Sequence, residues 1–178
     1  MTVTIPLAGY GKHLGTFTYE TLKPILKVAG ETVIGLIFKS LSLLNISRFV
    51  FVVGYKDNET KEWINKNYTN INIKWVIQKD KKGLGHSVWL AGKNICEDED
   101  VLIYLWDTIF DVKWDKIYYR DKNLIADKEV KNPNRFGIVK LQNGKIIDFI
   151  EKPENPPSNL AIIGLYYIKR WNFFSLFR

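Results

Sequence analysis

One cysteine among 178 residues, Cys96, leaves no partner for an internal disulfide and fits a reducing compartment. Nothing around Cys96 marks it as a nucleophile, so it reads as a packed thiol. No apolar run approaches the ~20 residues needed to span a bilayer, and the opening residues lack the pattern of a signal peptide. The expectation is a soluble cytoplasmic protein with no membrane contact. A concentrated basic segment is also missing. The 26 Lys+Arg exceed the 19 Asp+Glu to give a formal charge of +7, yet the lysines are scattered and no basic-aromatic stripe appears. That argues against nucleic acid and leaves polyanionic small molecules as natural partners of the charge. There is no internal repeat and no linker, so residues 1–178 are read as one domain, long enough for a sizeable core.

Against these absences stand 46% hydrophobic residues and a high aromatic share of 14%, with six tryptophans, most of them read as core. The apolar run Val3 to Ala8 has the character of a strand buried on both faces. Thr32 to Leu44 carries a broad apolar face, with Thr32 as a helix cap. Arg48 to Val53 reads as a second buried strand, Asp57 to Asn67 as an amphipathic helix with Trp63 and Ile64 inward, and Asn72 to Gln78 as a third strand. Gly85 to Asn94 looks helical, and Asp100 to Leu105 is a fourth strand ending at Trp106-Asp107. Such alternation predicts an α/β fold with a mostly parallel sheet, right-handed crossovers and helices on both faces. Its ligands would lie beyond the carboxyl ends of the strands.

The second half changes character. Lys116 to Lys128 is mixed, a helix end followed by a strand. Phe136 to Leu141 and Lys145 to Glu151 flank Asn143-Gly144, a strong hairpin signal. Leu160 to Ile168 is a further strand, and Trp171 to Phe177 begins an apolar segment of helical character. A β-rich second lobe is the expectation.

Four stretches carry chemistry, and each has a plainer reading. The first strand runs into a loop with glycines at 9, 11 and 15, where successive exposed N–H groups form an anion-binding concavity and Lys12, His13 and Lys23 supply donors. The plain alternative is a tight turn, and the loop is neither a P-loop nor a complete dinucleotide fingerprint. Gln78 at a strand end offers an amide with donor and acceptor for a base edge, and Gly85 would let a flat base lie against backbone; otherwise this is a lysine-rich turn. Asp107 at a buried strand's tip suits Mg2+, a hard cation that bridges phosphates, or else caps the next element. Glu151-Lys152 is a polar pair at a strand end, worth little if merely solvated.

In this order the residues resemble the sugar-phosphate nucleotidyltransferases. That family opens with A-G-x-G-T-R-L-x-P-x-T followed by P-K-P-L-x-x-V-x-G. Gly9, Gly11, Leu14, Thr18, Lys23, Pro24, Val28 and Gly30 fit it. Gln78 through Ser87 is similar to the family's base-contacting Q-x-x-x-x-G segment, Asp107 falls on the metal-binding Asp of G-D-N/T-x-F, and Arg135-Phe136-Gly137 and Glu151-Lys152-Pro153 match R-F/Y-G and E-K-P. Asn159 to Tyr166 resembles the stretch that contacts sugar.

The resemblance implies a Rossmann-like, nucleotide-diphospho-sugar transferase-like fold, with residues 1–112 binding nucleotide and 113–178 binding sugar phosphate. It implies transfer of a nucleotidyl group from a nucleoside triphosphate to a sugar-1-phosphate with release of pyrophosphate, and Mg2+ as cofactor. Lys23, His13 and Asp107 take the catalytic roles, with Asp107 as the metal ligand. Ala8, Gly9, Gly11, Lys12, Gln78, Gly83 and Gly85 bind nucleotide, and Gly137, Glu151, Lys152 and Gly164 bind the sugar phosphate.

Four departures stand out: Lys12 for Thr, His13 for Arg, Thr16 for Pro, and Trp106 for Gly. His13 gives up a charged fork. The Trp106 indole would fill the sugar or nucleotide pocket, or swing out and stack on a ligand. The sequence also stops at Arg178, ahead of a second metal-binding Asp in the family pattern, so a one-carboxylate site and an incomplete sugar half are expected. The alternative function is a catalytically degenerate relative that binds nucleotide or sugar phosphate, or that serves as a regulatory or structural partner; a homo-oligomer or pairing with an active paralogue is the assembly expected.

Overall fold

A computed structural model describes residues 1–8, 23–54, 57–80, 82–115 and 122–171. The first strand, β1 (Thr2–Pro6), is buried along its whole length. It is followed by a small hairpin of β2 (Lys27–Val28) and β3 (Glu31–Thr32), turning on Ala29 and Gly30, both at positive φ. Helix α1 (Val33–Ser40) starts where its sequence says: the Thr32 hydroxyl accepts from the Gly35 N–H at 3.1 Å. It is shorter than the apolar face suggested, because Leu41 leaves the helix and is buried in the turn that follows.

Then come β4 (Arg48–Gly54), α2 (Asn58–Asn67), β5 (Ile73–Gln78), α3 (Gly83–Gly92) and β6 (Val101–Tyr104). The four strands β5-β4-β1-β6 are parallel neighbours, as the alternation predicted. The second lobe adds β7 (Leu124–Glu129), β8 (Gly137–Gln142), β9 (Lys145–Glu151) and β10 (Leu160–Ile168), joined antiparallel to one another and to β6. All belong to one eight-stranded sheet. Asn143 and Gly144 both take positive φ (52° and 71°), the conformation a two-residue hairpin turn requires.

Alternation divides the core cleanly. Val3, Ile5 and Leu7 of the first strand region join Phe49, Phe51, Val53, Leu102 and Tyr104 under α1 and α2. The opposite face presents Val50, Val52, Val101 and Ile103 to Ala91 of α3, to Ile95 and to Trp171. Each fully buried aliphatic contributes roughly 1.5–3 kcal/mol. Trp171 is buried, whereas the rest of the apolar segment after it lies outside the described residues.

The amino ends of the parallel strands are clamped by two carboxylates. Glu99 accepts from the Thr2 and Ser47 hydroxyls (2.8 and 2.9 Å) and pairs with Arg48 at 3.3 Å. Asp100 accepts from the Tyr167 hydroxyl, the Lys169 ammonium and the Arg170 N–H. Burial by itself raises both pKa values, but these hydrogen bonds and cations outweigh it and hold both below the ordinary carboxylate range. A pKa depressed by folding adds stability above the unfolded value of about 4 that is lost as pH falls through the folded value. Denaturant unfolding at successive pH values should therefore show stability declining once pH drops below about 4, with a shallower decline in Asp100→Asn.

Candidate functional site

The parallel strands end together. After β1 the Leu7 N–H still donates to the Val52 carbonyl at 2.6 Å, and Ala8 follows at the strand's exit. Gly54 pairs with Gln78 across the ends of β4 and β5, and its N–H donates to Asp57 at 2.6 Å. Leu105 leaves β6, followed by Trp106 and Asp107. The predicted loop residues Gly9, Gly11, Lys12 and His13 lie outside the described residues. Lys23 begins the short 3-10 turn Lys23–Ile25 that leads into the small hairpin.

β10 determines what faces those ends. Along one of its edges runs β7, paired with both Leu160–Ile162 and Tyr166–Tyr167. The other edge is shared: Leu165 to Ile168 pair with β6, and Ala161 pairs with Ile138 of β8. β6 leaves that edge at Leu105, whose N–H donates to the Gly164 carbonyl at 2.9 Å. Between these two pairings β10 is irregular: the four steps from Ile162 to Tyr166 match only two on β7, from Asp127 to Ile125, with Gly164 at positive φ inside the bulge. So β6, leading to Asp107, ends on the edge at which β8 begins with Gly137. One edge of β10 is thus handed from β6 to β8 at this point, and ligands of α/β sheets sit beyond strand ends at such changes of neighbour.

On the β8–β9 side, Gly137 pairs directly with Glu151. A Cβ on Gly137 would stand 3.0 Å from Glu151 Oε2, so the glycine leaves room for that carboxylate. Lys152 carries φ of +44° although it precedes Pro153, a position that favours extended backbone. Its N–H donates to the Phe136 carbonyl at 3.0 Å, and its ammonium lies 3.3 Å from Glu151. Both side chains are largely exposed (72% for Glu151 and 64% for Lys152) and so are available to a ligand. Backbone strain of this kind concentrates at binding sites. Tyr166, which sequence reasoning did not single out, belongs here too: burial first, then the neighbouring Glu151 charge, push its hydroxyl pKa up, so it stays a protonated donor. The signal was its place in Asn159 to Tyr166, the stretch that resembles the family's sugar-contacting segment.

Gly164 has a structural reason of its own. Its φ is +91°, and an added Cβ would meet Leu105 Cδ1 at 2.8 Å and Leu105 Cβ at 3.0 Å. Gly164→Ala should lower unfolding free energy by about 1–3 kcal/mol, read as a shift of the denaturant midpoint.

Two expectations are corrected. Trp106 does not swing out to stack: it is 6% exposed and packs in the core with Phe110 and Trp114, continuing the inward series Leu102, Tyr104. Gln78 is 6% exposed and does not hold out both amide donor and acceptor to a base edge, because its amide is already engaged. Nε2 donates to the Gly83 carbonyl at 3.2 Å and faces His86 Nδ1 at 2.9 Å, and Oε1 accepts from the Ser87 hydroxyl at 2.6 Å. His86 and Ser87, the side-chain partners of Gln78, are residues the motif alone does not single out. The space above the first turn of α3 is open, since a Cβ on Gly83 or Gly85 would meet nothing within 4 Å.

Asp107 is exposed and makes no hydrogen bond or ion pair with the described residues. Among the described residues no three Asp, Glu, His or Cys side chains gather into a metal cluster. One free carboxylate suits Mg2+, which commonly takes one or two protein carboxylates and completes its shell with water and substrate phosphate.

The fold is that of the sugar nucleotidyltransferases. A solved Bacillus anthracis structure, assigned as a glucose-1-phosphate thymidylyltransferase, superposes with a TM-score of 0.82 at 23% identity, over 95% of this chain and 71% of that one. The family model for nucleotidyl transferases matches residues 4–175, and the chain belongs to that family. It is 30% identical over 174 residues to the UTP–glucose-1-phosphate uridylyltransferase AglF of Haloferax volcanii, covering 93% of this chain and 71% of that protein. It is 35% identical over 168 residues to the bifunctional protein GlmU of Methanococcus aeolicus, where it spans 39% of the relative's length.

Proposed function

We propose that this chain transfers a nucleotidyl group from a nucleoside triphosphate to a sugar-1-phosphate, making a nucleotide-activated sugar and releasing pyrophosphate. The observation that carries the reading is the shared edge of β10, at which β6, leading to Asp107, ends and β8 begins with Gly137, paired with Glu151 and followed across the hairpin by Lys152. A donor held at the strand ends and an acceptor held at the β8–β9 hairpin would meet there.

The reaction needs no protein nucleophile. A sugar-phosphate oxygen, already anionic, attacks the α-phosphorus; a new O–P bond forms, the bond to the bridging oxygen breaks, and pyrophosphate leaves with its electron pair. What the protein supplies is position and compensating charge. In this reading the Ala8–His13 backbone, Lys12 and Lys23 hold the triphosphate, and the base lies over Gly83 and Gly85 beside Gln78. Lys152 neutralises the acceptor phosphate, while Glu151 and Tyr166 orient sugar hydroxyls as acceptor and donor. Gly164 supplies backbone at the sugar side. Asp107 would hold Mg2+, which would supply charge compensation for the triphosphate.

The test is pyrophosphate release from each common nucleoside triphosphate with a panel of sugar-1-phosphates in Mg2+. Release that depends on one triphosphate and one sugar phosphate supports the reading. Triphosphate-dependent thermal stabilisation without release would instead support a binding relative in which His13 no longer supplies the charge of an arginine.

A further inference from the structure

We infer that His86 and Ser87 set nucleobase selectivity by fixing the orientation of the Gln78 amide; this rests on reading the ends of the parallel strands as a nucleotide site. The Gly83 carbonyl can only accept, so the amide nitrogen must face it, and the oxygen must face Ser87. The second Nε2 hydrogen is directed at His86 Nδ1 at 2.9 Å. That ring nitrogen acts as the acceptor, and the imidazole carries its proton on Nε2. The His86 ring lies flat against Trp89, with centroids 5.7 Å apart, which holds it in place.

Both amide hydrogens are thereby spent inside the protein. Oε1 accepts one hydrogen from Ser87 and keeps one lone pair. Toward a base, Gln78 is an acceptor only. In an edge-on pose it matches a ring N–H, as uracil, thymine and guanine present, and sets lone pair against lone pair with the ring nitrogen of cytosine or adenine. Rotation of the amide would restore indifference, and His86 and Ser87 oppose that rotation. Neither residue touches the reacting atoms; both are positioning residues acting through Gln78.

The experiment is calorimetric titration of the full chain with UTP, dTTP, GTP, CTP and ATP in Mg2+. The wild type should bind at least one of the first three more tightly than CTP and ATP. His86→Ala frees one amide hydrogen for the base, and the preference over CTP should shrink by about tenfold, the equivalent of one hydrogen bond. His86→Asn returns an acceptor to that hydrogen and should restore the preference, which a loss of mere helix packing would not do. Ser87→Ala releases the oxygen and should move the ratio in the same direction as His86→Ala. Unliganded melting temperatures establish that each variant is folded.

A ratio unchanged in both His86→Ala and Ser87→Ala overturns the proposal and leaves the nucleotide site standing. So does wild-type binding that ignores the ring N–H. Undiminished binding by Gln78→Ala places the base elsewhere and also overturns it. If the wild type binds none of the five triphosphates, the nucleotide-site reading itself fails.

Discussion

Asp107→Ala should lower the rate of pyrophosphate release by about a thousandfold, roughly 4 kcal/mol of transition-state stabilisation. The size follows from how little else is present. Among the described residues no acidic cluster stands in reserve, so a metal held at this strand end depends on a single protein carboxylate. The fold should not register the change. Asp107 is exposed and unpartnered among the described residues, and surface substitutions of that kind stay within about 0.5 kcal/mol. Activity and stability are thus expected to separate: unchanged denaturant midpoint, lost turnover, and lost dependence of triphosphate binding on Mg2+. Asp107→Glu keeps the charge but moves it by one methylene, and should recover part of the rate. If Asp107→Ala retains turnover within a few-fold, the metal is held by other residues and the role assigned to this strand tip is wrong.

How much of this was legible in the sequence depends on how local the cause is. The Thr32 cap is written into the side chain that makes it, and the Asn143-Gly144 turn into the two residues able to adopt positive φ. The parallel strands were readable because a strand buried on both faces must be apolar throughout, as Arg48 to Gly54 nearly is. Trp106 was readable in principle: Leu102 and Tyr104 face inward, and a period of two carries residue 106 to the same side. The family pattern drew attention to the missing glycine and away from that alternation.

The state of Gln78 was not legible. It depends on side chains eight and nine residues on, brought back by the first turn of α3, and no propensity records which amide hydrogen goes where. Nor was the change of neighbour along β10 legible. It arises because β6 and β8, more than thirty residues apart, share one edge of β10 without meeting, a matter of non-local register. Tyr166 was passed over for the same reason, since only the sheet brings Glu151 near it.

Lys152 allows the acceptor half of the reaction to be tested apart from the fold. A lysine at φ +44° with proline after it holds a backbone conformation that glycine adopts without penalty. Removing the Cβ should therefore relieve about 1 kcal/mol of strain. Lys152→Gly should unfold at a denaturant concentration equal to or above that of the wild type, while Lys152→Ala, with the Cβ retained, should gain nothing. The exposed ion pair with Glu151 that both variants lose is worth little to stability. Both variants also lose the ammonium, and with it one charge-assisted contact to the acceptor phosphate. For that contact we expect a fall of about a hundredfold in kcat/KM for the sugar-1-phosphate, near 2.7 kcal/mol. The KM for the triphosphate should change little, because Lys152 follows β9 at the β8–β9 pair and not one of the parallel strands whose ends are assigned to the triphosphate. Glycine thus makes the more stable protein and the poorer enzyme. Such a pairing is the signature of a residue whose strained conformation serves its ligand and not its fold. Steady-state kinetics with each substrate varied in turn, alongside denaturant unfolding of the same preparations, checks both halves. If Lys152→Gly were more stable with an unaltered kcat/KM, the acceptor phosphate would have to be placed against another cation.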